Sequence, residues 1–139
     1  GDLLTVKGGG SGFPVRPRET VKDNFFVQMQ GQEVFRHAVR SLTEVTKVLM
    51  HKHQITEKDI DLFIPHQANI RIIESLQKKL NFPREKIFVN LEKYGNTSAA
   101  SVPIALSEAY EQGLIPPGSR VLSCSFGGGF TWGAGLMQF

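Results

Sequence analysis

The chain has 139 residues, 40% of them hydrophobic and 21% charged, which suffices for one compact domain with a core, with or without a short tail. No apolar run approaches the roughly 20 residues that cross a bilayer, and the start GDLLTVKGGGSG has neither the basic nor the apolar region of a secretory leader. A single cysteine excludes an internal disulfide, so a reducing cytoplasm is the expected compartment.

Beginning with Gly rather than Met, the sequence reads as a piece of a longer chain. LLTVKGGGSG reads as the end of a strand followed by a Gly/Ser-rich loop, and FFVQMQ (25–30) as extended or irregular. From Gln32 to about His53, Phe35, Ala38, Val39, Leu42, Val45 and Leu49 recur at helical spacing. A helix of that length spans about 30 Å. TEKD (56–59) has the form of a capping box, IDLFIP that of a short apolar strand, and QANIRIIESLQKKL that of an amphipathic helix ending near Asn81. KIFVNL predicts a second strand. SAASVPIALSEAYEQG predicts a second helix, with Pro103 in its first turn and Gly113, Pro116 and Pro117 closing it. SRVLSCSF and FTWGAGLMQF predict two strands joined through the GGG reversal. Strands alternating with helices imply an α/β domain: a mixed, mostly parallel sheet with an antiparallel edge and helices on both faces.

The net charge of +3 is modest, and its placement is more informative. Arg36, Arg40 and Lys47 share one helical segment, and Arg71, Lys78 and Lys79 another. No aromatic residues alternate with them, so a nucleic-acid surface is not expected, and the lack of a spanning apolar run leaves no membrane partner expected either. Solvated helix faces and a dock for an acidic protein or a phosphate-bearing ligand both fit.

Ligands of open α/β sheets bind beyond the carboxyl ends of the strands. His66 follows the strand DLFIP and opens a helix. Asn96 lies in the loop after FVN, and Gly127, Gly128 and Gly129 follow VLSCSF. An imidazole, a carboxamide and bare backbone can therefore converge. Each also has a plainer reading: a boundary histidine, a turn or cap asparagine, a tight turn. The glycines are not a P-loop, since no Lys-Ser/Thr follows them. GGGSG at 8–12 reads as a linker. His51 and His53 have metal-compatible spacing without companion ligands, and no metal site is expected.

GQEVF, IPHQANIRI, NLEKYGNTSAASVPIAL and SFGGGFTWGAGL, in that order, resemble the carboxy-terminal half of the β-ketoacyl-acyl-carrier-protein synthase III family, condensing enzymes of the thiolase superfamily. The resemblance runs from Gly31 to the carboxy terminus and covers about half of a family member. It implies the second half of a five-layer αβαβα fold, with residues 25–139 as the carboxy-terminal domain and 1–24 as linker and end of the preceding half. It also implies decarboxylative Claisen condensation of acyl-CoA with malonyl-carrier protein, without a cofactor, by a Cys–His–Asn triad. His66 and Asn96 would be the catalytic His and Asn, and the Gly128 backbone N–H part of the oxyanion hole. Gly31, Phe35 and Asn69 would line the CoA/pantetheine tunnel, and Arg36, Arg71, Lys78 and Lys79 would receive the acyl carrier protein. The nucleophilic cysteine would lie in the amino-terminal half, and the full-length enzyme would be a homodimer. Cys124, inside a strand rather than at a helix start, is not expected to replace it. A non-catalytic CoA or carrier-protein binding module and a polyketide-type starter enzyme are the alternatives.

Overall fold

The computed structural model describes residues 3–14 and 25–139. Two short strands, β1 (Leu4–Thr5) and β2 (Gln28–Met29), pair antiparallel with Leu4 opposite Met29. Helix α1 (Gly31–Lys52) follows, one residue displaced at each end from the expected 32–53. Of the expected stripe, Ala38, Val39 and Leu42 are buried and Phe35, Val45 and Leu49 half-buried, with Ser41, Thr46 and Met50 buried beside them. The expected capping box is present. Thr56 caps a 3-10 turn (Glu57–Asp59), its backbone N–H donating to Asp59 Oδ2 at 2.8 Å. The Lys86 ammonium closes the far end of that turn by donating to the Ile60 carbonyl at 2.6 Å.

Strand β3 (Leu62–Pro65) pairs parallel with β4 (Arg120–Gly127), which pairs antiparallel with β5 (Thr131–Gln138). Side chains alternate between the two faces of this sheet. Phe63, Leu122 and Cys124 point to one face and pack with Leu42 and Met50 of α1 and with Ile73, Leu76 and Leu80 of α2 (Ile70–Leu80). Leu62, Ile64 and Val121 point to the other and pack with Ala105 and Ala109 of α4 (Ser101–Glu111). Helices thus cover both faces of a mixed sheet, as the alternation of elements implies.

Three boundaries differ from expectation. KIFVNL is not a regular strand: Ile87 bridges Phe63 and the Phe88 N–H donates to the Phe63 carbonyl at 3.0 Å, but the pairing stops there. A short helix α3 (Leu91–Tyr94) begins at once. His66 does not open a helix, because α2 starts only at Ile70, with Asn69 as its N-cap accepting the Arg71 N–H at 2.9 Å. SAASVPIALSEAYEQG divides into a 3-10 turn (Ser98–Ala100) and α4, which places Pro103 in the first turn as expected. Gly113, in the left-handed region at φ 71°, ends this segment where the sequence places the stop.

Candidate active site

A cleft of about 910 Å³ opens beyond the carboxyl ends of β3 and β4, and His66, Asn96, Gly128, Gly31, Phe35 and Asn69 are all among its lining residues. Residues remote in sequence, which the strand-end argument brings only to the same edge of the sheet, therefore share one space.

His66 leaves β3 with its backbone N–H donating to the Cys124 carbonyl at 2.8 Å, which extends the β3–β4 ladder by one residue. Its ring is half-buried, and burial pulls its pKa below the ordinary 6.5, because desolvation disfavours the imidazolium. The imidazole is therefore neutral at neutral pH. Its Nδ1 lies 2.8 Å from the Ser101 hydroxyl oxygen.

Asn96 is exposed and sits between α3 and the turn that leads into α4. Its Oδ1 accepts the Ser98 N–H at 2.9 Å, which fixes the carboxamide plane and leaves the Nδ2 amide as a donor. Ser98 occupies the left-handed region at φ 53°. For a residue with a Cβ that conformation costs on the order of 1 kcal/mol, which the bond from Asn96 helps offset.

At the third strand end the requirement for glycine falls on Gly129 more than on Gly128. Among the described residues, a Cβ at Gly128 would meet Leu4 Cδ2 at an ordinary 3.9 Å, and none of them excludes a side chain there. Gly129 has φ 131°, and a Cβ there would come within 3.1 Å of Thr131 Cγ2. The Thr131 hydroxyl donates to the Gly128 carbonyl at 3.3 Å and closes the hairpin.

Of the four expected docking cations, Arg36 pairs with Glu33 at 2.8 Å, one residue along from the cleft-lining Phe35. Arg71 is exposed beside Asn69 and Ile72 at the cleft rim, while Lys78 and Lys79 are exposed in the last turn of α2. At 1.5 Å rise per residue they lie about 10 Å further along that helix.

A family model described as 3-Oxoacyl-[acyl-carrier-protein (ACP)] synthase III C terminal matches residues 50–139, well over half of the chain. The chain belongs to the 3-oxoacyl-[acyl-carrier-protein] synthase III family. It is 54% identical over 138 residues to the beta-ketoacyl-[acyl-carrier-protein] synthase III of Oleidesulfovibrio alaskensis, covering 99% of this chain and 42% of that protein. Among solved structures it is similar to the synthase III of Aquifex aeolicus, at 48% identity and TM-score 0.81 over 86% of this chain and 39% of that one. The synthase III of Thermus thermophilus matches at 41% identity and TM-score 0.81, over 99% of this chain and 44% of its own. The chain thus spans less than half the length of the relatives it matches, and its fold is the carboxy-terminal half of the thiolase-like αβαβα arrangement.

Within this synthase III half, Cys124 is fully enclosed between the sheet and α1, and burial pushes its thiol pKa up to about 12. A thiol held in that state supplies almost no thiolate near neutral pH and cannot serve as the nucleophile. We expect iodoacetamide at pH 8 to leave the Cys124 peptide unmodified in the folded protein and to alkylate it once denaturant is added. Peptide mass mapping reads the result, and rapid labelling under native conditions would contradict the burial.

Two residues of the site carry no signal that the sequence reading used. Gln67, buried beside His66, donates from Nε2 to the Pro65 carbonyl at 2.7 Å and the Phe88 carbonyl at 3.3 Å. Its Oε1 accepts the Asn90 N–H at 3.1 Å. Ser101, also buried, accepts the Gln67 backbone N–H at 3.0 Å. Both lie inside the segments PHQAN and YGNTSAAS. Ser101, an uncharged polar residue between Ala100 and Val102, offers a faint hint and Gln67 none, and only the packing reveals the partners.

Proposed function

We propose that this chain is the carboxy-terminal catalytic domain of an enzyme that condenses acyl-CoA with malonyl-carrier protein to start fatty-acid synthesis. Residues 1–24 are read as the end of the preceding half with its linker, and 25–139 as the domain itself. The cysteine of the amino-terminal half takes the acyl group from CoA. Malonyl-carrier protein then loses CO2, and its α-carbon attacks the acyl-cysteine carbonyl. The cysteine thiolate leaves, and a 3-ketoacyl thioester remains on the carrier protein.

The observation that carries this reading is the meeting of a neutral imidazole and an oriented carboxamide in one cleft at the strand ends. Loss of CO2 develops negative charge on the malonyl thioester oxygen. Two preorganised N–H donors, from His66 and Asn96, are suited to stabilise that enolate, each supplying about 3–4 kcal/mol where water is excluded. The Gly128 N–H is assigned to the oxyanion formed when the acyl-cysteine is attacked. Gly31, Phe35 and Asn69 are assigned to the pantetheine arm, which an apolar channel with few polar groups accommodates. Arg36, Arg71, Lys78 and Lys79 are assigned to the acidic carrier protein and CoA phosphates, whose association they would steer. The full-length enzyme is read as a homodimer, and the reaction calls for no cofactor beyond the two thioesters.

The test uses the full-length enzyme, with 3-ketoacyl-carrier protein and released CO2 as readouts. We expect His66→Ala to lower malonyl-carrier-protein decarboxylation by about 100- to 1,000-fold. A decarboxylation rate unchanged by this substitution would remove the assigned role, and absence of any condensation product from the wild type would remove the function.

A further inference from the structure

We infer that Ser101 is a positioning residue that holds the neutral His66 imidazole in the tautomer with its proton on Nε2. The effect on rate rests on the enolate-stabilising role proposed for His66, whereas the tautomer assignment rests on hydrogen bonding alone.

Ser101 Oγ stands between two partners, the backbone N–H of Gln67 at 3.0 Å and Nδ1 of His66 at 2.8 Å. The first is an obligate donor, so the hydroxyl accepts there. A serine hydroxyl carries one proton and must place it on an acceptor. Ser101 is 2% exposed, so bulk water is not that acceptor. Among the described residues, Nδ1 of His66 is the acceptor recorded within reach of this hydroxyl. If Nδ1 carried the ring proton instead, Oγ would accept two donors and its own proton would be left without a partner in a buried site, at a cost comparable to a lost hydrogen bond. Nδ1 therefore accepts, and Nε2–H is the donor left to the cleft.

The surrounding bonds fix this geometry from both sides. The His66 backbone is tied to Cys124 across the sheet at 2.8 Å, so the imidazole hangs from a ladder position rather than from a free loop. Ser101 is the first residue of α4, whose Ala105 and Ala109 are buried against Leu62 and Ile64, so the hydroxyl is carried by a packed helix. A donor aimed at developing charge is effective when it needs no reorganisation during the reaction. Ser101 supplies that condition for His66 without itself touching substrate.

The full-length enzyme labelled with 15N-histidine tests the proposal, the His66 resonances being assigned by their loss in His66→Ala. Long-range 1H–15N correlations should show Nδ1 unprotonated and Nε2 protonated in the wild type. Ser101→Ala should shift His66 toward a mixture of tautomers. It should also lower malonyl-thioester decarboxylation about tenfold, with KM for malonyl-carrier protein within about twofold, since a wrong tautomer impairs the chemical step and not binding. A protonated Nδ1 in the wild type, or an unchanged tautomer in Ser101→Ala, would overturn the proposal. If Ser101→Ala does not fold, Ser101→Cys, of similar size but a weaker donor, is read by the same criteria. If His66→Ala leaves decarboxylation untouched while Ser101→Ala still changes the tautomer, the functional reading fails and the positioning role stands.

Discussion

Asn96→Asp in the full-length enzyme is expected to lower malonyl-thioester decarboxylation by about 1,000-fold while leaving the fold intact. The substitution separates the two ends of this side chain. Oδ1 accepts the Ser98 N–H at 2.9 Å and so holds the left-handed turn at φ 53°. An aspartate oxygen preserves that bond and strengthens it by its charge. The other end changes sign. In place of the Nδ2 amide, an acceptor oxygen with negative charge would face the developing enolate. Loss of one such donor costs about 100- to 1,000-fold in rate. Like-charge repulsion adds to this, which places the expectation at the upper end of that range. Unfolding free energy should change by less than about 1 kcal/mol, since the residue is exposed and its turn bond remains. Steady-state decarboxylation and a denaturant titration read the two halves of the expectation. A rate within threefold of wild type would show that Nδ2 does not serve the enolate.

This division of labour within one asparagine explains what the sequence could and could not disclose. YGNTS reads equally as a turn asparagine and as a catalytic donor, and in the structure the turn role is what makes a donor available. The long helix α1 was legible to within a residue because its inward stripe, the buried Ala38, Val39 and Leu42 with the half-buried Phe35, Val45 and Leu49, expresses a period that sequence displays directly. β3 and β4 were legible as strands from their short apolar runs, IDLFIP and SRVLSCSF, though not which face each side chain takes. KIFVNL misled because its apolar run satisfies the strand pattern while its backbone hydrogen bonds go elsewhere. After the single pairing at Phe63, the Phe88 carbonyl and the Asn90 N–H are taken by the side chain of Gln67. A side chain that substitutes for a neighbouring strand leaves no periodic trace. For the same reason QANIRI was read as the start of a helix, when Gln67 is a buried crosslink and the N-cap is Asn69. The site's polar framework was least legible of all. Ser101 and Gln67 act through partners 35 and 23 residues away, distances that no local spacing encodes.

Gln67 therefore carries the second large expected effect. Gln67→Met, which keeps the volume but removes the carboxamide, is expected to destabilise the domain by about 3–5 kcal/mol. Three backbone groups lose a partner: the Pro65 carbonyl, the Phe88 carbonyl and the Asn90 N–H. Each unsatisfied group in a buried position costs about 1–3 kcal/mol. Gln67→Glu discriminates further. It retains an acceptor for the Asn90 N–H and places a carboxyl where desolvation favours its protonated form, whose single O–H replaces one of the two donations while the other is lost. Its stability should consequently fall as pH rises through the raised carboxyl pKa, whereas Gln67→Met should show no such added dependence. The loss should reach the chemistry as well. Gln67 ties the segment that carries His66 to Asn90, the residue just before α3. Asn90 is in turn anchored by its Nδ2 to Glu108 of α4 at 2.7 Å, and Glu108 pairs with Lys93 at 2.6 Å. This chain of contacts runs from the His66 strand end to the short helix that leads into Asn96, and so links the elements that carry the two residues. Decarboxylation measured well below the unfolding temperature should fall in Gln67→Met, even though the side chain does not line the cleft. A destabilisation below about 0.5 kcal/mol would show that the crosslink is dispensable. A large destabilisation with full activity would show that it supports the fold without setting the distance between His66 and Asn96.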